Sequence, residues 1–158
     1  MHQESGVYWI IKGFLGGSGM PFSGDEIDHW RETGVRRVLV LPQEWELEEG
    51  WGDSKYYFSQ LRERGLSYMW LPIPDGAPPT REQFEEAVKW IDSGRGNLVH
   101  CVGGRGRTGT VLAGYLIVRR GLNARRAVEV VRSKREGAVE TLQQLQFLWS
   151  IEGEPWTT

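Results

Sequence analysis

The stretch Leu98-Val99-His100-Cys101-Val102-Gly103-Gly104-Arg105-Gly106-Arg107-Thr108-Gly109-Thr110 decides how this chain is read. Its apolar start predicts a short buried strand over 98–100, and residues 108–120 predict a helix that stops at Gly121. Between them lies a loop rich in glycine. A strand that runs through such a loop into a helix N-terminus turns successive backbone N–H groups inward, and the helix dipole adds partial positive charge. The resulting concavity binds an anion. Glycines suit it because the backbone must curl tightly and a Cβ would obstruct the ligand.

The side chains give the concavity a chemistry. Cys101 sits at the strand end, where its sulfur faces the middle of the cradle formed by Val102, Gly103, Gly104, Arg105, Gly106 and Arg107. Helix N-termini and nearby arginines lower a thiol pKa and favour the nucleophilic thiolate. Arg107, in the first helical turn, can grip two oxygens of one phosphoryl group, which lysine cannot do. Thr108 is placed to donate its hydroxyl to the sulfur, and His100 to point away and order the loop through hydrogen bonds. Gly104-x-Gly106-x-x-Gly109 also fits the dinucleotide fingerprint, but that motif should open a strand–helix–strand unit and everything after Gly109 reads as helical. A Walker loop fails because no lysine follows Gly109. An incidental glycine turn does not explain histidine, cysteine and arginine at three useful positions.

Working outward, strands are predicted over 7–11, 14–15, 35–41 and 66–71, with a glycine loop over 16–21 and an acidic loop over 44–53. Helices are expected from a cap at Ser23 or Asp25 to Arg31, from the end of the acidic loop to Arg64, and over 80–93 behind a Thr80/Gln83 capping box. Two more follow, one capped by Asn123 and one over 139–151. Residues 72–79 are too rich in proline for helix or central strand and read as a stiff exposed loop. Strands alternate with helices early and helices dominate late, the pattern of an α/β domain with a small central sheet flanked by helices.

The bulk properties bound the function. The 158 residues fit one domain, 39% are hydrophobic and 25% charged, and the net charge of −2 provides no global basic field for nucleic acid or an anionic membrane surface. Any phosphate affinity is therefore local. The N-terminus lacks a charged-then-apolar signal pattern and no stretch is apolar enough to span a bilayer, so the expectation is a cytoplasmic protein. With one cysteine there is no disulfide framework. His2, His29 and His100 are too dispersed to share an ion, and no metal or other cofactor is expected. The tryptophans, scattered from Trp9 to Trp156, read as core and surface anchors.

The segment His100-Cys101-x-x-Gly104-x-x-Arg107-Thr108-Gly109 resembles the signature of the cysteine-based protein tyrosine phosphatase superfamily. The surrounding features are similar to the compact atypical dual-specificity phosphatases, typified by VH1-like phosphatase Z and archaeal relatives. The likeness extends to Leu15-Gly16-Gly17-Ser18, to Ile73-Pro74-Asp75 and to Glu140-Thr141-x-x-Gln144. It implies a single catalytic domain over 1–158 with a mostly parallel sheet of about five strands. It also implies Asp75 as general acid and Glu140 or Gln144 as the residue that positions the hydrolytic water. Substrates implied are phosphorylated proteins, and the expected state is a monomer. Arg105 stands where inositol-lipid phosphatases of the superfamily also carry a basic residue, while Val102 is apolar. A phosphoinositide or RNA 5′-phosphatase with the same chemistry, or a non-catalytic phosphate-binding module, are the competing readings.

Overall fold

A computed structural model describes residues 6–154; residues 1–5 and 155–158, with His2 and Trp156 among them, lie outside it. The chain runs β1 (Tyr8–Ile11), β2 (Leu15–Ser18), α1 (Gly24–Glu32), β3 (Arg37–Val40), α2 (Glu44–Trp51), α3 (Ser54–Glu63), β4 (Ser67–Trp70), α4 (Arg81–Asp92), β5 (Asn97–His100), α5 (Gly106–Arg120), α6 (Ala124–Lys134) and α7 (Leu142–Ile151). The strands form one sheet in the order β1-β2-β5-β3-β4. β5 pairs in parallel with β2 on one edge and β3 on the other, β3 pairs in parallel with β4, and β1 is an antiparallel edge. The segment that opened the sequence reading therefore follows the central strand.

Strand side chains alternate between two faces, and β5 feeds a core on each. Leu98 joins Val38, Val40, Ile27, Trp30, Tyr57 and Leu61, under α1–α3. Val99 and Cys101 join Leu39, Leu41, Phe84 and Val111, under α4–α7. Both Leu98 and Val99 are fully buried, each contributing about 1.5–3 kcal/mol of burial free energy. Register is thus strongly specified where the reactive loop begins, because a one-residue slip would exchange the two faces. α5 is buried on nearly every side through Ile117, as a helix at the centre of a core must be.

Four expectations need correction. The predicted acidic loop over 44–53 is largely helix α2: Glu46 reaches back to accept the Gln43 amide proton at 2.8 Å, and Glu44 and Glu46 favour a helix N-terminus electrostatically. The predicted glycine loop over 16–21 begins as strand, since Gly16, Gly17 and Ser18 pair with Leu98, Val99 and His100. The last helix starts at Leu142, not 139, because Val139 has φ 62° and cannot lie in a right-handed helix. Thr141 caps that helix instead, with Gln144 completing a capping box. α5 likewise begins two residues earlier than predicted, at Gly106.

Candidate active site

Cys101 leaves the carboxyl end of β5 with only 2% of its surface exposed, and its sulfur accepts the Gly104 amide proton at 3.3 Å. Every carbonyl from Cys101 to Arg105 has a partner outside the bowl. The Cys101 oxygen takes the His100 Nδ1 proton at 2.8 Å, and the Val102 oxygen takes the Met20 amide at 2.9 Å. Arg135 Nη2 donates to the Gly103 oxygen at 2.9 Å, and the Tyr8 hydroxyl to the Gly104 oxygen at 2.6 Å. The Arg105 oxygen accepts from Gly109 and Val139, at 2.9 and 3.1 Å. In a trans peptide the N–H points opposite the carbonyl, so these outward carbonyls turn the amides of residues 102–106 toward a bound anion. Gly104 adopts φ 77°, and a β-carbon there would lie 2.7 Å from the Gly19 nitrogen. Only glycine serves at that position.

His100 ties the loop to the core through both ring nitrogens. Its Nδ1 donates to the Cys101 carbonyl, which leaves Nε2 to accept from the Tyr57 hydroxyl at 2.8 Å. Burial lowers its pKa to about 4, opposed by the Cys101 carbonyl and Glu46 and assisted by Arg107. Burial also raises the Tyr57 pKa, so that hydroxyl remains a donor. Tyr57 and Phe58 belong to the core.

Arg107 is buried, and its guanidinium is spoken for on one edge. Nη1 donates to Glu46 Oε1 at 2.7 Å and to the Ile73 carbonyl at 2.9 Å, and Nη2 donates to Glu46 Oε2 at 2.9 Å. Of five guanidinium protons, the Nε–H and one Nη2 proton are left, and they form the second planar fork. Bidentate capacity for a phosphoryl group is retained. Burial alone would raise the Glu46 pKa, yet the Arg107 and Gln43 hydrogen bonds and the Arg107 and His100 charges bring it below the ordinary carboxylate range. Burial would lower the Arg107 pKa, and the Glu46 bond and the charges of Cys101, Glu46 and Asp75 carry it upward. Both partners stay ionised. Sequence reasoning missed Glu46, the group that orients the arginine; its one available signal was a glutamate three residues after Gln43, a capping-box spacing.

Asp75 lies on a turn closed by Ala77 N–H to the Pro74 oxygen at 3.0 Å. Its Oδ1 stands 3.7 Å from Arg107 Nη2. The loop over 72–79 is exposed only in part, since Ile73 packs in the core. Glu140 and Gln144, indistinguishable from sequence, separate here. Gln144 is fully buried, and its Oε1 accepts the amides of Glu140 and Thr141 at 2.8 and 3.1 Å. Glu140 is exposed and lines the cleft, its carboxylate lying against Gly106. Thr108 departs from expectation: its hydroxyl is buried without a hydrogen-bond partner, and the Gly104 amide meets the sulfur instead. The Thr108 methyl lies against Gly17 of β2.

These groups surround one cleft of about 500 Å3, whose lining includes Cys101, Arg107, Arg105, Asp75 and Glu140 together with the α2 residues Trp45, Glu46 and Glu49. A family model described as "PTP-SAK: Swiss Army Knife protein, DSP-PTPase phosphatase domain" matches residues 4–154. The chain belongs to that family. Members of this phosphatase class are cysteine-based phosphoric monoester hydrolases, in agreement with the expected recognition and enzyme class. Tyrosine-protein phosphatase cdc-14 of Caenorhabditis elegans is 28% identical over 169 residues, covering 94% of this chain and 22% of that protein. Protein tyrosine phosphatase PRL-1 of Leishmania major is 30% identical over 106 residues, 60% of this chain and 59% of that one. The chain thus spans less than two thirds of these curated relatives. A crystal structure of Tk-PTP in the active form is 36% identical, with TM-score 0.80 over 92% of this chain and 95% of that one. The α/β architecture expected from sequence is that of the dual-specificity phosphatases. No helix among the described residues is long and apolar enough to cross a membrane.

Proposed function

We propose that this chain is a protein phosphatase that hydrolyses phosphotyrosine, and phosphoserine and phosphothreonine, through a phosphocysteine on Cys101. One observation carries the reading: a buried sulfur at the floor of a loop whose amides face inward, beside an arginine with one fork open. The thiolate attacks phosphorus, the S–P bond forms and the P–O bond to the substrate breaks. Charge on the equatorial oxygens is met by the loop amides and the free fork of Arg107. Protonated Asp75 gives its proton to the departing oxygen. Water, aligned by Glu140 rather than Gln144, then attacks phosphorus and passes a proton to Asp75. The S–P bond breaks, releasing phosphate and regenerating the thiolate. His100 holds the loop, and the Gly104 amide, already donated to the sulfur, stabilises it as it leaves.

The rim supports a protein substrate over a polyphosphorylated one. Glu49, Asp75 and Glu140 line the cleft against one rim base, Arg105, and the rings of Phe22 and Trp45 stand exposed beside it. Three carboxylates repel the additional phosphates of an inositol polyphosphate or a triphosphorylated RNA end, while apolar rings suit a peptide flank. Cys101→Ser tests the chemistry. It is expected to reduce turnover of phosphopeptides on the order of 10⁴-fold or more while orthovanadate or phosphate binding persists. Turnover surviving in that variant removes the covalent route. Faster wild-type turnover of inositol polyphosphates or RNA ends than of phosphopeptides removes the protein substrate.

A further inference from the structure

The loop carbonyls are held by the protein's own backbone, by His100, by Arg135 and by one residue of the opposite edge strand. That residue is Tyr8, in β1, 96 positions away from the glycine it binds. The Gly104–Arg105 peptide it touches has little steric direction of its own. It follows two glycines, and Gly104 has the left-handed φ that only glycine adopts freely. If that peptide turned over, its carbonyl oxygen would face a bound phosphoryl group and the Arg105 N–H would be lost to it. We propose that Tyr8 is a positioning residue of the phosphate site: its hydroxyl, donated to the Gly104 oxygen, keeps the Arg105 amide proton turned into the bowl.

The sheet is shaped to let Tyr8 do this. Tyr8 pairs across the antiparallel ladder with Gly17 of β2. A β-carbon at Gly17 would lie 2.7 Å from both Cζ and the hydroxyl oxygen of Tyr8 and 2.8 Å from the Thr108 methyl. The missing side chain at Gly17 is the opening through which the tyrosine crosses β2 to the loop. This gives a purpose to Gly16-Gly17, a glycine pair that a strand between two neighbours would otherwise disfavour. Burial raises the Tyr8 pKa, as does the charge of Cys101, against Arg135. The hydroxyl therefore keeps its proton and stays a donor across the working range.

The inference rests on the phosphatase reading and is tested separately from it. Tyr8→Phe removes one oxygen and leaves the ring in place. A single neutral hydrogen bond is worth a factor of about 3 to 10, so orthovanadate affinity and kcat/KM on p-nitrophenyl phosphate should both fall by about that factor. The melting temperature should change by no more than a few degrees, and the Arg105 amide resonance should lose the downfield shift that vanadate induces in the wild type. A role confined to packing would move stability and leave those ligand readouts alone. Gly17→Ala keeps the hydroxyl but displaces it, and should cause a similar loss of vanadate affinity. Wild-type vanadate affinity and a normal Arg105 shift in either folded variant overturn the proposal. Failure of the wild type itself to bind vanadate or hydrolyse the ester would overturn the phosphatase reading, and this inference with it.

Discussion

The two loops that meet at Arg107 are built on opposite plans. In the phosphate loop Cys101, Gly104, Gly106 and Arg107 are buried, and each carbonyl from Cys101 to Arg105 is tied to a partner outside the bowl. The loop over 72–79 is also tied through its backbone: Gln83 Nε2 donates to the Pro72 oxygen, Arg107 to the Ile73 oxygen and Thr141 to the Gly76 oxygen. Its functional side chain is not. Asp75 is 75% exposed, with Arg107 the nearest opposite charge at 3.7 Å. The difference suits the roles proposed for the two groups. Donors that stabilise developing charge act best when no reorganisation is needed as the charge appears. A group that gives a proton and later takes one from water has to remain in contact with solvent.

The largest expected effect comes from loosening the rigid side. Glu46→Gln keeps the shape of the partner but removes the charge that holds one fork of Arg107. Depriving a buried ion of its partner costs about 3–5 kcal/mol, and the retained amide oxygen points to about 3 kcal/mol by urea unfolding. Turnover should fall by about a hundredfold, the scale of losing one preorganised donor, even at low denaturant where the variant is folded. Full turnover in a destabilised protein would mean that Arg107 orients itself without the glutamate.

The same side should show a pH signature through His100. Its folded pKa is lowered to about 4 from 6.5, so below 6.5 the unfolded chain takes up a proton that the folded one refuses. Stability is therefore complete above pH 6.5, declines as pH falls through that window, and levels off below pH 4. The 2.5-unit gap corresponds to about 3 kcal/mol. Glu46, with its own lowered pKa, acts with the same sign but at more acidic pH. In His100→Asn the decline between pH 6.5 and 4 should flatten. Parallel stability curves for variant and wild type would place the acid sensitivity elsewhere.

How legible each plan was in the sequence follows from the range of its contacts. The strand, the glycine loop, Cys101 and Arg107 lie within thirteen consecutive residues, 98–110, and neighbouring backbone sets their relation. Asp75 was implied by the family likeness, on a loop that its prolines marked. The partners that hold the loop left no local trace: Glu46 is 61 positions from Arg107, Arg135 is 32 from Gly103, and Tyr8 is 96 from Gly104. A side chain that binds a distant carbonyl imposes no periodicity on its own segment. The glutamates of α2 read as a solvated loop for a related reason, since only Glu46 and Leu47 of that helix are buried and the pair Leu47 and Trp51 is too short a run to set a helical period. The Thr108 hydroxyl, expected on the sulfur, has no hydrogen-bond partner, and it lies at a helix start set two residues late from the sequence, element ends being the least determined feature of a sequence.

Asp75→Asn tests the solvent-exposed side directly. Protonation of the departing oxygen is needed most when that oxygen is a poor leaving group. Loss should be about a hundredfold for phosphotyrosine peptides and alkyl phosphates, and slight for an aryl ester whose phenol is strongly acidic. Equal losses on both would assign the proton to another group.

The smallest effect is expected where the two plans are joined. Thr141 accepts the Gln144 amide at 3.2 Å as the cap of α7, and its own hydroxyl proton goes to the Gly76 carbonyl at 2.8 Å. One oxygen thus fixes both a helix start beside Glu140 and the turn that carries Asp75. Thr141→Val keeps the bulk and removes both bonds. Loss of the cap should lower stability by about 1 kcal/mol. If Thr141 matters only as a cap, all substrates should be affected alike. If the Gly76 bond holds the acid within reach, turnover should fall a few-fold on poor leaving groups and remain near wild type on good ones, reproducing in miniature the pattern of Asp75→Asn. A uniform loss would confine the threonine to the helix and leave the acid loop positioned by Arg107, Gln83 and Gln144 alone.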